Sequence, residues 1–156
     1  MLRNSKFFIL LLFLLLIGIT GCGGKILLSD DAVRIRKISD FVNELKGLYE
    51  QRDEQALSMF SPEYLATEKE MRSSILRDME RFNTISLSLF IDRIEMNSED
   101  VNISIHWNGT WKNAKRTYRE GGSMVLLTSY GDRIRITGIK GDSPFGVSRI
   151  FDGDEN

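Results

Sequence analysis

The sequence predicts an α+β domain in which N-terminal helices pack on a curved, four-stranded antiparallel sheet. Three observations carry this. Up to Phe82 the apolar residues recur at helical spacing, and after Asn83 the period changes to two. The period-two segments are joined by short polar connections (Asn97 to Asp100, Asn113-Ala114, Tyr130 to Asp132) that suit hairpins.

Ahead of the helices lies an unbroken apolar run from Phe7 to Ile17, preceded by Arg3 and Lys6 and followed by Gly18, Thr20 and Gly21. A charged start, an apolar stretch too short to span a bilayer comfortably and a small-residue exit together read as a signal peptide. Ile19-Thr20-Gly21-Cys22 resembles the lipobox of bacterial lipoproteins, and Cys22 is the one cysteine in the chain. That resemblance implies a diacylglyceryl group on Cys22, cleavage before it, and a mature protein held on a cell-envelope membrane by its lipid chains. Gly23 stands where an aspartate would imply retention at the inner membrane. In a two-membrane envelope the expectation is therefore the outer membrane, facing the periplasm. Residues 1–21 are then the signal, 22–30 the lipidated N-terminus and tether, 31–146 the folded domain and 147–156 an acidic flexible tail.

Each element of the domain has its own signal. Ser29 or Asp30 can cap a first helix whose apolar face is Ile35, Ile38, Val42, Leu45 and Tyr49. Asp53 can cap a short helix from Glu54 to Phe60, which Ser61-Pro62 ends. Thr67 and Glu70 form a capping-box pattern for a third helix with Met71, Ile75, Met79 and Phe82 as its buried stripe. Ile85, Leu87, Leu89 and Ile91 then alternate with polar residues, as do Val101, Ile103, Ile105 and Trp107 through to Trp111. Two more strands follow, Arg116 to Thr128 and Arg133 to Ile139. Asn108-Gly109 is a hairpin signal in its own right. Because alternation continues past it to Trp111, the turn is set at Asn113-Ala114 and Gly109 is read as a mid-strand kink or bulge.

The helical N-terminal half, the Phe60-Ser61-Pro62-Glu63-Tyr64 link and the terminal meander resemble NTF2-like (SnoaL-like) domains. Gly141-Asp142-Ser143-Pro144-Phe145-Gly146 resembles the endings of small NTF2-like lipoproteins. The resemblance covers residues 31 to 146. It implies a cone with helices on the concave sheet face and a pocket at the open end. It does not choose a function, since the fold hosts isomerases, dehydratases and binding modules.

With the turn at Asn113-Ala114, Lys112 pairs with Lys115, Trp111 with Arg116, Gly109 with Tyr118 and Trp107 with Glu120. Period two then sends these side chains to the concave face. The candidate pocket is therefore Trp107, Trp111, Tyr118 and Glu120. A carboxyl beside an indole is pushed toward acid–base use, so Glu120 is the best catalytic candidate, with Tyr118 as its hydrogen-bonding partner. Glu120 as a rim carboxylate paired with Arg116 is the plainer alternative, and a bulge at Gly109 or Gly121-Gly122 would turn it outward. His106, the one histidine, alternates to the convex face as a surface residue.

Several function classes are excluded by composition. Loss of the signal leaves 19 basic against 22 acidic residues, a net charge of about −3 without a clustered basic face, which argues against nucleic acid. One histidine and scattered acids such as Asp92, Glu95 and Glu99 offer no metal-ligand spacing. No cofactor fingerprint, phosphate loop or nucleophile elbow is present. Two readings stand: a non-catalytic module that binds a partner protein or an apolar ligand, or a small isomerase- or dehydratase-type enzyme using Glu120 and Tyr118. Val125 and Leu127, on the opposite face, could serve a partner protein or a homodimer contact.

Overall fold

The structure is a computed structural model that describes residues 29–97 and 100–151. The expected signal, Cys22 and most of the tether lie outside the described residues, as do residues 152–156.

Helix α1 spans Asp30–Glu50 and buries Ile38, Phe41, Val42, Leu45 and Tyr49. These positions fall on one stripe of a 3.6-residue helix. Ile35, expected on that stripe, is 43 % exposed, because the packed layer begins one turn later, at Ile38. A 3₁₀ helix, Glu54–Met59, follows, with the Asp53 side chain accepting from Gln55 N as its cap. Ser61-Pro62 does more than end it. Ser61 accepts from Tyr64 N and Pro62 takes the first position of helix α2, Pro62–Thr67, a placement that the fixed φ of proline favours. The capping box expected at Thr67 and Glu70 does not form. Thr67 Oγ1 instead donates back to the Glu63 carbonyl, and Glu68 precedes helix α3, Lys69–Arg81, without a side-chain cap bond. Helix α3 buries Met71, Ile75 and Met79 as expected, with Phe82 at its end.

Strands β1 (Thr84–Met96), β2 (Asp100–Lys112), β3 (Thr117–Tyr130) and β4 (Ile134–Gly141) form one antiparallel sheet in the order β1-β2-β3-β4. Its register shifts between Ile91 and Arg93, so Asp92 is the extra residue of a bulge. Before the bulge the inward residues are odd-numbered (Ile85, Leu87); beyond it they are even-numbered (Ile94, Met96). A second shift lies between Leu127 and Thr128. Pairing of β2 with β3 is unbroken from Asp100 to Lys112, so Gly109 is not a bulge.

Both sheet edges are covered locally, which protects unpaired strand edges from mispairing. On β1, Leu87 N donates to Glu50 Oε1 at 2.6 Å, and Lys46 holds the other oxygen of that carboxylate at 2.7 Å. On β4, Ile136 bridges in parallel to Phe60 and its carbonyl accepts from Ser61 N.

The chain does not leave the fold at residue 146. Val147, Ser148 and Phe151 are buried, and Ser148–Phe151 forms a one-turn helix, α4. The expected tail boundary therefore moves past residue 151. The apolar pair Val147 and Phe151, four residues apart, anchors this segment against the domain.

Candidate functional site

The concave side of the sheet is where a ligand would lie, and here the chain fills it with its own side chains. Trp107, Trp111 and Tyr118 do come together as the sequence suggests, but as core residues. The two indoles meet edge to face at 6.1 Å between centroids. Phe151 stacks on Tyr118 at 4.4 Å and meets Phe82 and Trp111 edge on. Trp107 Nε1 donates to the Asp142 carbonyl at 2.8 Å.

Each indole is seated by a glycine. A Cβ on Gly109 would collide with the Trp111 ring, and one on Gly122 would stand 3.2 Å from Cζ2 of Trp107. The absence of a side chain at these strand positions makes two ring slots.

Glu120 is not part of this assembly. The β2–β3 connection takes four residues, with Asn113 N donating to the Arg116 carbonyl and Asn113 Oδ1 accepting from Lys115 N and Arg116 N. The register consequently pairs Lys112 with Thr117, Trp111 with Tyr118, Gly109 with Glu120 and Trp107 with Gly122. Two residues of slip keep Tyr118 inside but move Glu120 two pairs toward the hairpin end, opposite a glycine whose inward space the Trp111 ring occupies. Glu120 is exposed and lines an open depression of about 400 Å³ with Ser86, Ser88, Asn108 and Arg119. Glu120→Gln should therefore change stability by less than about 0.5 kcal/mol in thermal denaturation, as for surface substitutions generally.

The buried carboxylate is Asp78, on α3. Among the described residues it is the one charged side chain that is wholly buried. Its Oδ2 accepts from Gly146 N (2.7 Å), Val147 N (3.0 Å) and the Tyr49 hydroxyl, and its Oδ1 accepts from Ser148 N (2.7 Å). The Pro144 carbonyl lies 3.1 Å from the same Tyr49 hydroxyl. The backbone reaches Asp78 because Gly146 adopts φ +79°, a left-handed conformation suited to glycine, and because a side chain there would meet Ser74. Burial raises the Asp78 pKa, opposed by the bonds from Tyr49, Ser148 and Gly146. Burial, followed by the negative charge of Asp78, raises the Tyr49 pKa well above that of an exposed phenol. Four donors from the chain itself surround both oxygens. A signal for this carboxylate exists in the sequence. Ser74 and Asp78, four residues apart, sit beside Ile75 and Met79 within an otherwise apolar stripe.

On the convex face His106 is exposed, as expected, and it is not isolated. Its Nδ1 lies 2.7 Å from Asp92 Oδ1, the residue released by the β1 bulge, and its ring stacks on Phe90 at 4.8 Å. A further cleft of about 510 Å³ lies between α1 and the β3–β4 turn, with Phe41, Met59 and Tyr130 beside Lys37, Asp40 and Arg135. It mixes both charge signs.

No family model matches the chain, and no curated protein matches it significantly. Solved structures do. One is a Novosphingobium aromaticivorans protein provisionally assigned as a scytalone dehydratase, 11 % identical, covering 72 % of this chain and 87 % of that one with a TM-score of 0.60. Another is an NTF2-like superfamily protein from Salmonella enterica serovar Typhimurium, 14 % identical, covering 70 % and 89 % with a TM-score of 0.54. At such identities the likeness is one of fold: the chain has an NTF2-like fold, helices followed by an open four-stranded antiparallel sheet.

Proposed function

We propose that this chain is a bacterial envelope lipoprotein whose NTF2-like domain is a non-catalytic binding module, tethered through Cys22. The single observation that carries the non-catalytic part is the state of the concave face. Its aromatic rings pack on one another, and Asp78, the wholly buried carboxylate among the described residues, is committed to Tyr49 and to three backbone amides of the chain. An enzyme of this fold needs an ionisable group within reach of a bound substrate. The isomerase- or dehydratase-type alternative relied on Glu120 beside Tyr118, and Glu120 stands outside the assembly that holds Tyr118.

The anchor is carried by Ile19-Thr20-Gly21-Cys22 behind its apolar run. Two acyl chains suffice for stable attachment to a bilayer, with the outer membrane favoured where there are two. Growth of a bacterial host expressing the full chain with an alkyne-tagged fatty acid tests this. The protein should take up the label and fractionate with membranes, and Cys22→Ser should abolish the label. An unlabelled wild-type protein in the soluble fraction would rule the anchor out. The exposed Phe90–His106 pair on the convex face, with Val125 and Leu127 half-buried on β3, is the surface we assign to a partner protein or a second copy.

A further inference from the structure

We infer that the cleft between α1 and the β3–β4 turn binds a zwitterionic phospholipid, whose headgroup carries a phosphate and an ammonium group. This rests on the anchored-lipoprotein reading, which brings the cleft near a bilayer, and it adds a ligand to that reading.

The cleft, about 510 Å³, has an apolar floor. Phe41 is 5 % and Met59 8 % exposed, and half-buried Ile134 lines the cleft with them. The Arg34 guanidinium lies 4.9 Å from the centroid of the Tyr130 ring and sets that ring as a wall. Arg135 donates to the Ser58 carbonyl at 3.0 Å, so it serves the wall as well.

The rim carries both signs of charge, held apart. On α1 the exposed residues Lys37, Asp40 and Glu44 share one helix face by their spacing; across from them the turn presents Asp132 and Arg133. Among the described residues no ion pair joins one wall to the other. Asp40 reaches only Arg36, at 4.0 Å and in the open. Opposite charges spaced around an apolar floor complement a ligand that carries both signs itself.

Their order along the chain suits a phospholipid. Cys22 and Asp30 are eight residues apart, and such a segment spans at most about 28 Å when extended. From the end that this tether joins, Lys37 comes first along α1, and Glu44 stands about 10 Å further on. In a phospholipid the phosphate adjoins the glycerol and the ammonium lies beyond it. Lys37 and Arg133 are therefore assigned to the phosphate, Asp40 and Glu44 to the ammonium, and the apolar floor to the glycerol and the first chain carbons.

The test is titration of the ¹⁵N-labelled full chain in dodecyl maltoside micelles with dihexanoyl phosphatidylethanolamine. The amides from Lys37 to Glu44 and from Tyr130 to Arg135 should shift. Glu44→Lys and Arg133→Glu, both at exposed positions, should each weaken binding about tenfold without changing the melting temperature, since each removes one charge-assisted contact. Dihexanoyl phosphatidylglycerol, which lacks the ammonium, should bind about tenfold more weakly than the ethanolamine lipid, and Glu44→Lys should lose that preference. Equal affinity of the wild-type chain for the two lipids would overturn recognition of a zwitterion. Phosphoethanolamine without chains, bound as tightly as the lipid, would overturn the phospholipid in favour of a free zwitterion. Shifts confined to other amides, or no shifts, would overturn the site itself. The anchored-module reading fails on a different readout, the fatty-acid label.

Discussion

Asp78→Ala should destabilise the domain by about 4 kcal/mol, enough to lower the melting temperature by more than 10 °C. The substitution removes the acceptor of four buried donors, the amides of Gly146, Val147 and Ser148 and the Tyr49 hydroxyl, of which only the last keeps another acceptor, the Pro144 carbonyl. An orphaned buried donor costs about 1–3 kcal/mol, and the four are not additive because the C-terminal segment can lift toward water. Asp78→Asn keeps the shape but turns one acceptor oxygen into a donor. Since Oδ2 faces three donors and Oδ1 one, either amide orientation opposes donor to donor, and a loss of about 2–3 kcal/mol is expected. Urea denaturation measures both. The pH dependence has a definite sign. Burial raises the Asp78 pKa above its unfolded value, so over the range from about 4 up to the raised value the native state binds more protons than the unfolded chain. The Asp78 contribution to stability therefore falls as pH rises through that window, and Asp78→Asn should remove this component of the pH profile.

Gly109→Ala should cost about 3 kcal/mol or more, a large effect for one methyl group. The added carbon would run into the Trp111 ring and stand 2.9 Å from Leu87 Cδ2. Overpacking typically costs about 1–3 kcal/mol, and more where the neighbours cannot yield. Trp111 is wholly buried and boxed in by Trp107 and Phe151, so it has nowhere to go. Trp111→Phe frees part of that space. The double variant Gly109→Ala/Trp111→Phe should therefore be less destabilised than the sum of the single variants by about 1 kcal/mol or more, a coupling that thermal or chemical denaturation of the four proteins resolves.

The fold was legible where one face of an element is buried and the other is wet. Ile38, Val42, Leu45 and Tyr49, or Ile103, Ile105 and Trp107, keep strict periods because the hydrophobic effect sorts them. The break between helix and sheet periods near Asn83 is the same effect seen at an element boundary. Loop geometry was less legible. The Asn113 side chain can close a loop of two residues or of four, and both keep Tyr118 on the inner face because they differ by an even number. Parity survived and register did not: Trp107, Trp111 and Tyr118 are buried on the inner face as their alternation predicts, while Glu120 stands opposite Gly109 rather than Trp107. Glycine was ambiguous in another way: a residue without a side chain marks a bulge or a close approach, and at Gly109 the approaching group is an indole from its own strand. The bulge itself fell at Asp92, where nothing in the local sequence sets it apart. Asp78 and the segment from Val147 to Phe151 were missed together because each explains the other. A carboxylate in an apolar stripe needs donors, and those donors come from nearly 70 residues away, in a stretch whose acidic neighbours suggested a solvated tail.

The chain closes its own cone by pinning residues 146–148 to Asp78. Amide hydrogen exchange of the full chain at pH 7 tests it most directly. Gly146 and Val147 precede α4, and Ser148 begins it, so helix bonds within α4 protect none of the three amides. All three should exchange slowly, and that protection should be lost together in Asp78→Ala while the β2–β3 ladder stays protected. Exchange at the rate of an open loop in the wild-type chain would contradict it.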